Sequence, residues 1–174
     1  TALVGTVSGT TITFGTSAVF NTGLSRTSAT YDSTNGKIVI AYKDNVTISG
    51  GGRGAGIVGT VSGTTISFGT PVVFENDSCN EPSVVFDSTN GKVVIAYTTL
   101  GSGAGLGKTV SGTVSGTDII WGGVLEIDAV PEVDSPAAVY DVTNGKVVIA
   151  YASTAIGPVR YGKSVVYSGE DSTN

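Results

Sequence analysis

Two kinds of short apolar segment alternate along the chain. Val93-Val94-Ile95-Ala96-Tyr97 is apolar at every position, as are Ile38-Val39-Ile40-Ala41-Tyr42 and Val147-Val148-Ile149-Ala150-Tyr151. An unbroken apolar run of this length between turn residues predicts a strand covered on both faces. Val39, Ala41, Val94, Ala96, Val148 and Ala150 are therefore expected to be buried between sheets. Thr65-Ile66-Ser67-Phe68 instead alternates polar and apolar, which predicts a strand with one face in water.

These segments belong to a tandem repeat of about 54 residues. VGTVSGTTITFGT at 4–16 returns as VGTVSGTTISFGT at 58–70 and, more divergently, as SGTVSGTDIIWGG at 111–123. YDSTNGKIVIAY at 31–42 returns as FDSTNGKVVIAY at 86–97 and YDVTNGKVVIAY at 140–151. Each block reads as a β-hairpin. Asn35-Gly36, Asn90-Gly91 and Asn144-Gly145 mark the turns of one, as tight type I′ turns with both central residues at positive φ. Ser8-Gly9, Ser62-Gly63 and Ser115-Gly116 mark the turns of the other.

Four short antiparallel strands per unit, the inner one buried on both faces and the outer one half wet, describe a β-propeller blade. The expected fold is therefore all-β, with three propeller-type units at about 4–57, 58–110 and 111–168 in one repeat domain. An open β-solenoid-like stack is the alternative architecture. Long connections at 69–82 and 122–136 fit a return from rim to axis. Residues 169–174 form a polar C-terminal tail. Thr1 falls inside a repeat, as in a fragment or processed product.

Three units are too few to close a ring with a filled centre, and neither end unit carries a polar outer face. A homo-oligomer is expected, with a dimer of six units favoured. At the seam, the opening residues and Tyr161–Tyr167 both claim the third-strand position.

Composition narrows function. The net charge is −5 and the nine basic residues are dispersed, which excludes a nucleic-acid surface. No apolar run is long enough for a membrane-spanning helix. The chain has no histidine, hence neither the commonest general base nor the commonest zinc ligand. Its single cysteine, Cys79, supplies no intrachain disulfide and reads as a small loop residue.

The repeat motifs GTVSGTxIxFGTPVVF and YDSTNGKVVIAY resemble those of tail and other virion proteins of marine bacteriophages, cyanophages included, and of bacterial surface proteins. The resemblance covers about 4–168. It implies a location on a virion or cell surface and a role in adhesion or structural display, with a host receptor or surface glycan as partner. It carries no catalytic motif.

Candidate chemistry is sparse. Asp32, Asp87 and Asp141 precede the Asn-Gly turns at a spacing unlike a calcium loop, and a role in capping turn N–H groups accounts for them. No metal or cofactor is called for. Acidic residues cluster in two connections: Glu75, Asp77 and Glu81 in one, Asp128, Glu132 and Asp134 in the other. The first connection carries Arg26 instead. These seven are candidate binding residues, against the plainer reading of solvated loop surface; paired carboxylates can also serve glycoside hydrolysis, but nothing else supports it. The recurrent tyrosines read as core packing. A non-catalytic structural or adhesive module is the expected function, and a carbohydrate-binding propeller lectin the alternative.

Overall fold

A computed structural model describes residues 1–45, 52–99, 105–128, 133–153 and 160–167. Every regular element among them is a β-strand. Fourteen strands form four antiparallel sheets, and no barrel closes among the described residues. The first sheet is a hairpin, β1 (Gly5–Ser8) with β2 (Thr11–Phe14). The second runs β3 (Leu24–Asp32), β4 (Lys37–Asp44), β5 (Arg53–Ser62), β6 (Thr65–Phe68), with β7 (Val72–Glu75) also paired to β5. The third runs β8 (Cys79–Asp87), β9 (Lys92–Thr99), β10 (Leu106–Ser115), β11 (Asp118–Glu126). The fourth runs β12 (Val133–Asp141), β13 (Lys146–Ser153), β14 (Tyr161–Tyr167).

The second and third sheets are the complete ones. β6 and β7 together stand where β11 stands as one strand. The expected long connections are accordingly shorter than the sequence suggests. Val72–Glu75 lies within 69–82 and pairs with β5, while β11 extends to Glu126. The chain stays in the sheet there because small residues, Gly54, Ala55 and Gly56, face it from β5. Phe74 covers Gly54 and Trp121 covers Gly56, each closer than any β-carbon would allow.

The unbroken apolar runs form the middle strands. Val93 to Tyr97 are fully buried, the odd-numbered side chains packing toward the second sheet and Val94 and Ala96 toward the fourth. Val39, Ala41, Val94 and Ala96 are buried as expected. Val148 is half-buried and Ala150 exposed, a correction to the expectation. They face away from the third sheet, and no further sheet among the described residues covers them. Cys79 also departs from its reading. It opens β8, is fully buried in the core, and burial pushes its thiol up to about 12.

The turns correct the sequence reading in one respect. Gly36, Gly91 and Gly145 have φ of 64°, 63° and 63°, but Asn35, Asn90 and Asn144 are not at positive φ. Asp32 pairs with Lys37, so four residues form the loop and the type I′ assignment fails. The aspartate is the physical reason. Its Oδ1 accepts the N–H groups of Thr34 and Asn35 at 2.9 and 3.0 Å, and its Oδ2 accepts the Asn35 amide at 2.8 Å. The loop is thus wound as a capped turn and closed by the left-handed glycine. Asp87 and Asp141 repeat all three bonds. In the other hairpins only the glycine (Gly9, Gly63, Gly116) has positive φ. Glycine first in a two-residue loop is the pattern of a type II′ turn.

Candidate functional site

The edge strands β3, β8 and β12, one from each of the three larger sheets, lie side by side, each inner only in the sense of coming first in its sheet, while the doubly covered runs stand second. Each carries a bulge at the same place, where Arg26, Glu81 and Ser135 adopt φ of 51°, 51° and 50°. Left-handed backbone at a non-glycine residue is uncommon; its threefold recurrence marks it as part of the repeat. The extra residue lifts these side chains out of the ladder and into an open groove of about 360 Å³, lined by Arg26 to Ser28, Glu81 to Ser83, Ser135 and Pro136.

Two of the sequence candidates meet here. Arg26 Nη1 donates to Glu81 Oε1 at 2.9 Å, and the Ser135 N–H donates to Glu81 Oε2 at 2.8 Å. Below the groove, Ser28 Oγ accepts the Val84 N–H at 3.1 Å and Ser83 Oγ accepts the Ala138 N–H at 2.9 Å. These serines fasten each inner strand to the next. Asp134, beside Ser135, pairs with the exposed Arg160. An exposed ion pair of this kind adds little stability.

Glu75 and Asp128 are elsewhere and are not free loop carboxylates. Glu75 Oε2 accepts from the Tyr97 hydroxyl and from Lys108 Nζ, both at 3.0 Å. Glu75 Oε1 accepts the Asp77 N–H at 3.0 Å, which is the part the exposed Asp77 plays. Burial alone would raise the Glu75 pKa, but the Asp77 N–H, Lys108 and the Tyr97 hydroxyl together hold it below its ordinary value. Asp128 repeats the arrangement with the Tyr151 hydroxyl at 2.8 Å and Lys163 at 2.9 Å. Burial and then Asp128 push the Tyr151 hydroxyl up to about 12. The solvated-loop reading is corrected for Glu75, which is buried. Glu132 lies outside the described residues.

In the second sheet the same positions hold Asn21, Tyr42 and Ala55. Among the described residues the buried Tyr42 hydroxyl meets no partner in good hydrogen-bond geometry, and burial raises its pKa although the nearby Asn21 side chain opposes the rise. Sequence reading missed the lysines and the two serines. Their signal was alignment: Lys108 and Lys163 share a position in LGKTV and YGKSV, and Glu75 and Asp128 lie 53 apart, equally aligned.

Chemically, the groove offers an ion pair and serine hydroxyls already engaged with backbone. No three His, Cys, Asp or Glu side chains gather to hold a metal among the described residues. Compared with known families and curated proteins, the sequence matches no family model and no curated protein.

Proposed function

We propose that the chain is a non-catalytic structural or adhesive repeat module of a virion, tail-fibre-like, or of a cell-surface protein. Its sheets are read as β-propeller-type units whose loops meet a host surface or a protein. The observation that carries this is what repeats and what does not. The aspartate-capped turn recurs three times, and the serine fastening and the carboxylate–tyrosine–lysine contact twice each. All are internal to the framework. The bulge residues that line the groove do not recur: arginine, glutamate and serine occupy one position in turn. Tyr42, Tyr97 and Tyr151 are buried, so these three repeated tyrosines are not sugar-stacking platforms, and the exposed Tyr31 has Phe86 at its place in the third sheet. This disfavours a lectin with one site per unit.

The proposal also takes a second copy of the chain as partner, two chains making a six-unit ring, and calls for no cofactor, nucleic acid or membrane insertion. A glycan array probed with the labelled chain, followed by calorimetry on any hit, tests it. Binding confined to a host-surface preparation or a protein supports the module reading. A defined sugar bound at one site per unit would replace it with the lectin.

A further inference from the structure

The first and fourth sheets, as described, hold different parts of the repeating sheet. The first sheet has the outer part of a unit, β1 matching the far end of β5 and β10 and β2 matching β6, and a single Ala2–Ala18 bridge continues it inward. Among the described residues the fourth sheet has only the inner part. β14 follows the register of β10 as far as Tyr167, which stands where β10 has Gly112. β10 then continues through Thr113 to Ser115 and turns into β11. β1 begins at Gly5, the equivalent of that same Gly112, paired with Phe14 as Gly112 is with Trp121.

We propose that two copies join head to tail, hairpin β1–β2 of one copy supplying the outer half of the sheet that β12–β14 of the other begins. The inference rests on the propeller-type reading and gives the seam its residues. β14 takes the inner part of the shared third-strand position as far as Val166: Thr1 to Val4 leave it, releasing the Ala2–Ala18 bridge and the Val4–Gly15 bond, and Tyr167 yields to Gly5. Each chain then contributes three whole sheets: two of its own and one composite. Two chains joined at both ends close a six-sheet ring.

Burial supports this position by position. Val7 and Ile12 are 68% and 54% exposed; their equivalents are less so, Val61 at 42% with Ile66 half-buried in the second sheet and Val114 and Ile119 at 4% and 3% in the third. Phe14 is 65% exposed. At the other end Val139 and Val166 are exposed and Ala150 is uncovered. Apolar faces of this extent on a soluble chain mark an interface. Any other copy presents the face that the repeat already uses to cover them.

Two specific contacts recur at the seam. Gly15 lies beneath the Thr64 carbonyl and Gly69 beneath the Thr117 carbonyl, each turn docking on the preceding sheet. Gly122 is next in that series; it is exposed, and the partner's Thr10 is the turn residue that fits it. Likewise the Tyr140 hydroxyl meets Thr89 Oγ1 of the preceding sheet at 2.6 Å. Tyr31, 57% exposed, would reach Thr143 of the other copy in the same way. Because the patch at one end contacts the different patch at the other, the joint is heterologous.

The test is light scattering on the whole chain and two exposed-face variants, Phe14→Asp and Gly122→Gln, with circular dichroism confirming that both fold. Twice the chain mass for wild type, one chain for each variant, and a two-chain species when the variants are mixed are expected. Mixing leaves one intact joint, so the heterodimer forms only if unlike ends meet. Wild type monomeric at tens of micromolar, or both variants still dimeric, overturns the seam. A negative glycan array beside a monomeric wild type would reject the seam alone; a sugar bound at every unit by a dimer would reject the module reading alone.

Discussion

Gly69 lies beneath the carbonyl of Thr117 in the next sheet, so closely that a β-carbon at residue 69 would sit 2.1 Å from that oxygen. The obstacle is backbone and cannot rotate away. Gly69→Ala is therefore expected to lose about 1–3 kcal/mol, the cost of overpacking a close contact. The same substitution at the exposed Gly123, which has nothing within 4 Å, is expected to be nearly silent. Urea melts of the two variants check this; coincident midpoints would remove the inter-sheet glycine from the account.

Asp87 holds its turn through three bonds while almost wholly buried. Asp87→Ala leaves two backbone N–H groups and an amide without their acceptor. A loss of about 2–3 kcal/mol is expected, in the range for hydrogen bonds to a charged group. Gly91→Val, at φ of 63°, is expected to lose about 1–3 kcal/mol through backbone strain alone. Denaturant melts at neutral pH measure both.

The lowered Glu75 pKa makes stability depend on pH. A carboxylate whose folded pKa lies below its unfolded value stabilises the fold above the unfolded value. That contribution falls away as pH drops from the ordinary value of 4.5 through the lower folded one. Wild type should lose stability over this range. Glu75→Gln should be less stable at neutral pH and show a shallower acid limb. Parallel wild-type and variant curves from pH 7 to pH 3 would contradict the role given to Lys108 and Tyr97.

Ala137 stands where Ser28 and Ser83 stand in the other inner strands, so the seam lacks a serine fastening. Ala137→Ser restores a hydroxyl at an exposed position, where the N–H of Ala29 in another copy would meet it. With a seam at each end of the two-chain ring, two net hydrogen bonds of about 0.5–1.5 kcal/mol each correspond to roughly five- to a hundredfold tighter association. A dilution series followed by light scattering reads it, and weaker association would argue against the seam's register.

Much of the fold was legible because the repeat writes it three times. Val93 to Tyr97 could only be a doubly covered strand, and Asn90-Gly91 could only be a turn. The turn's type was not legible, because Asp87 reaches three residues ahead and draws the loop out to four. Glu75 looked like a loop carboxylate because its partners, Tyr97 and Lys108, lie 22 and 33 residues away. The groove was half legible: Arg26 and Glu81 were singled out by charge, but only the recurrent bulge brings them together. Val148 and Ala150 show the limit of pattern reading, since burial belongs to a neighbouring sheet and not to the strand itself.

The head-to-tail seam is tested most directly by sedimentation of the wild-type chain from about 1 to 100 micromolar. The account predicts a single species of twice 17.4 kDa at the upper end, dissociating only on dilution, and a Phe14→Asp variant that sediments as one chain throughout. A wild-type particle of one chain at every concentration, with β1–β2 and β14 edges left unpaired, would contradict it.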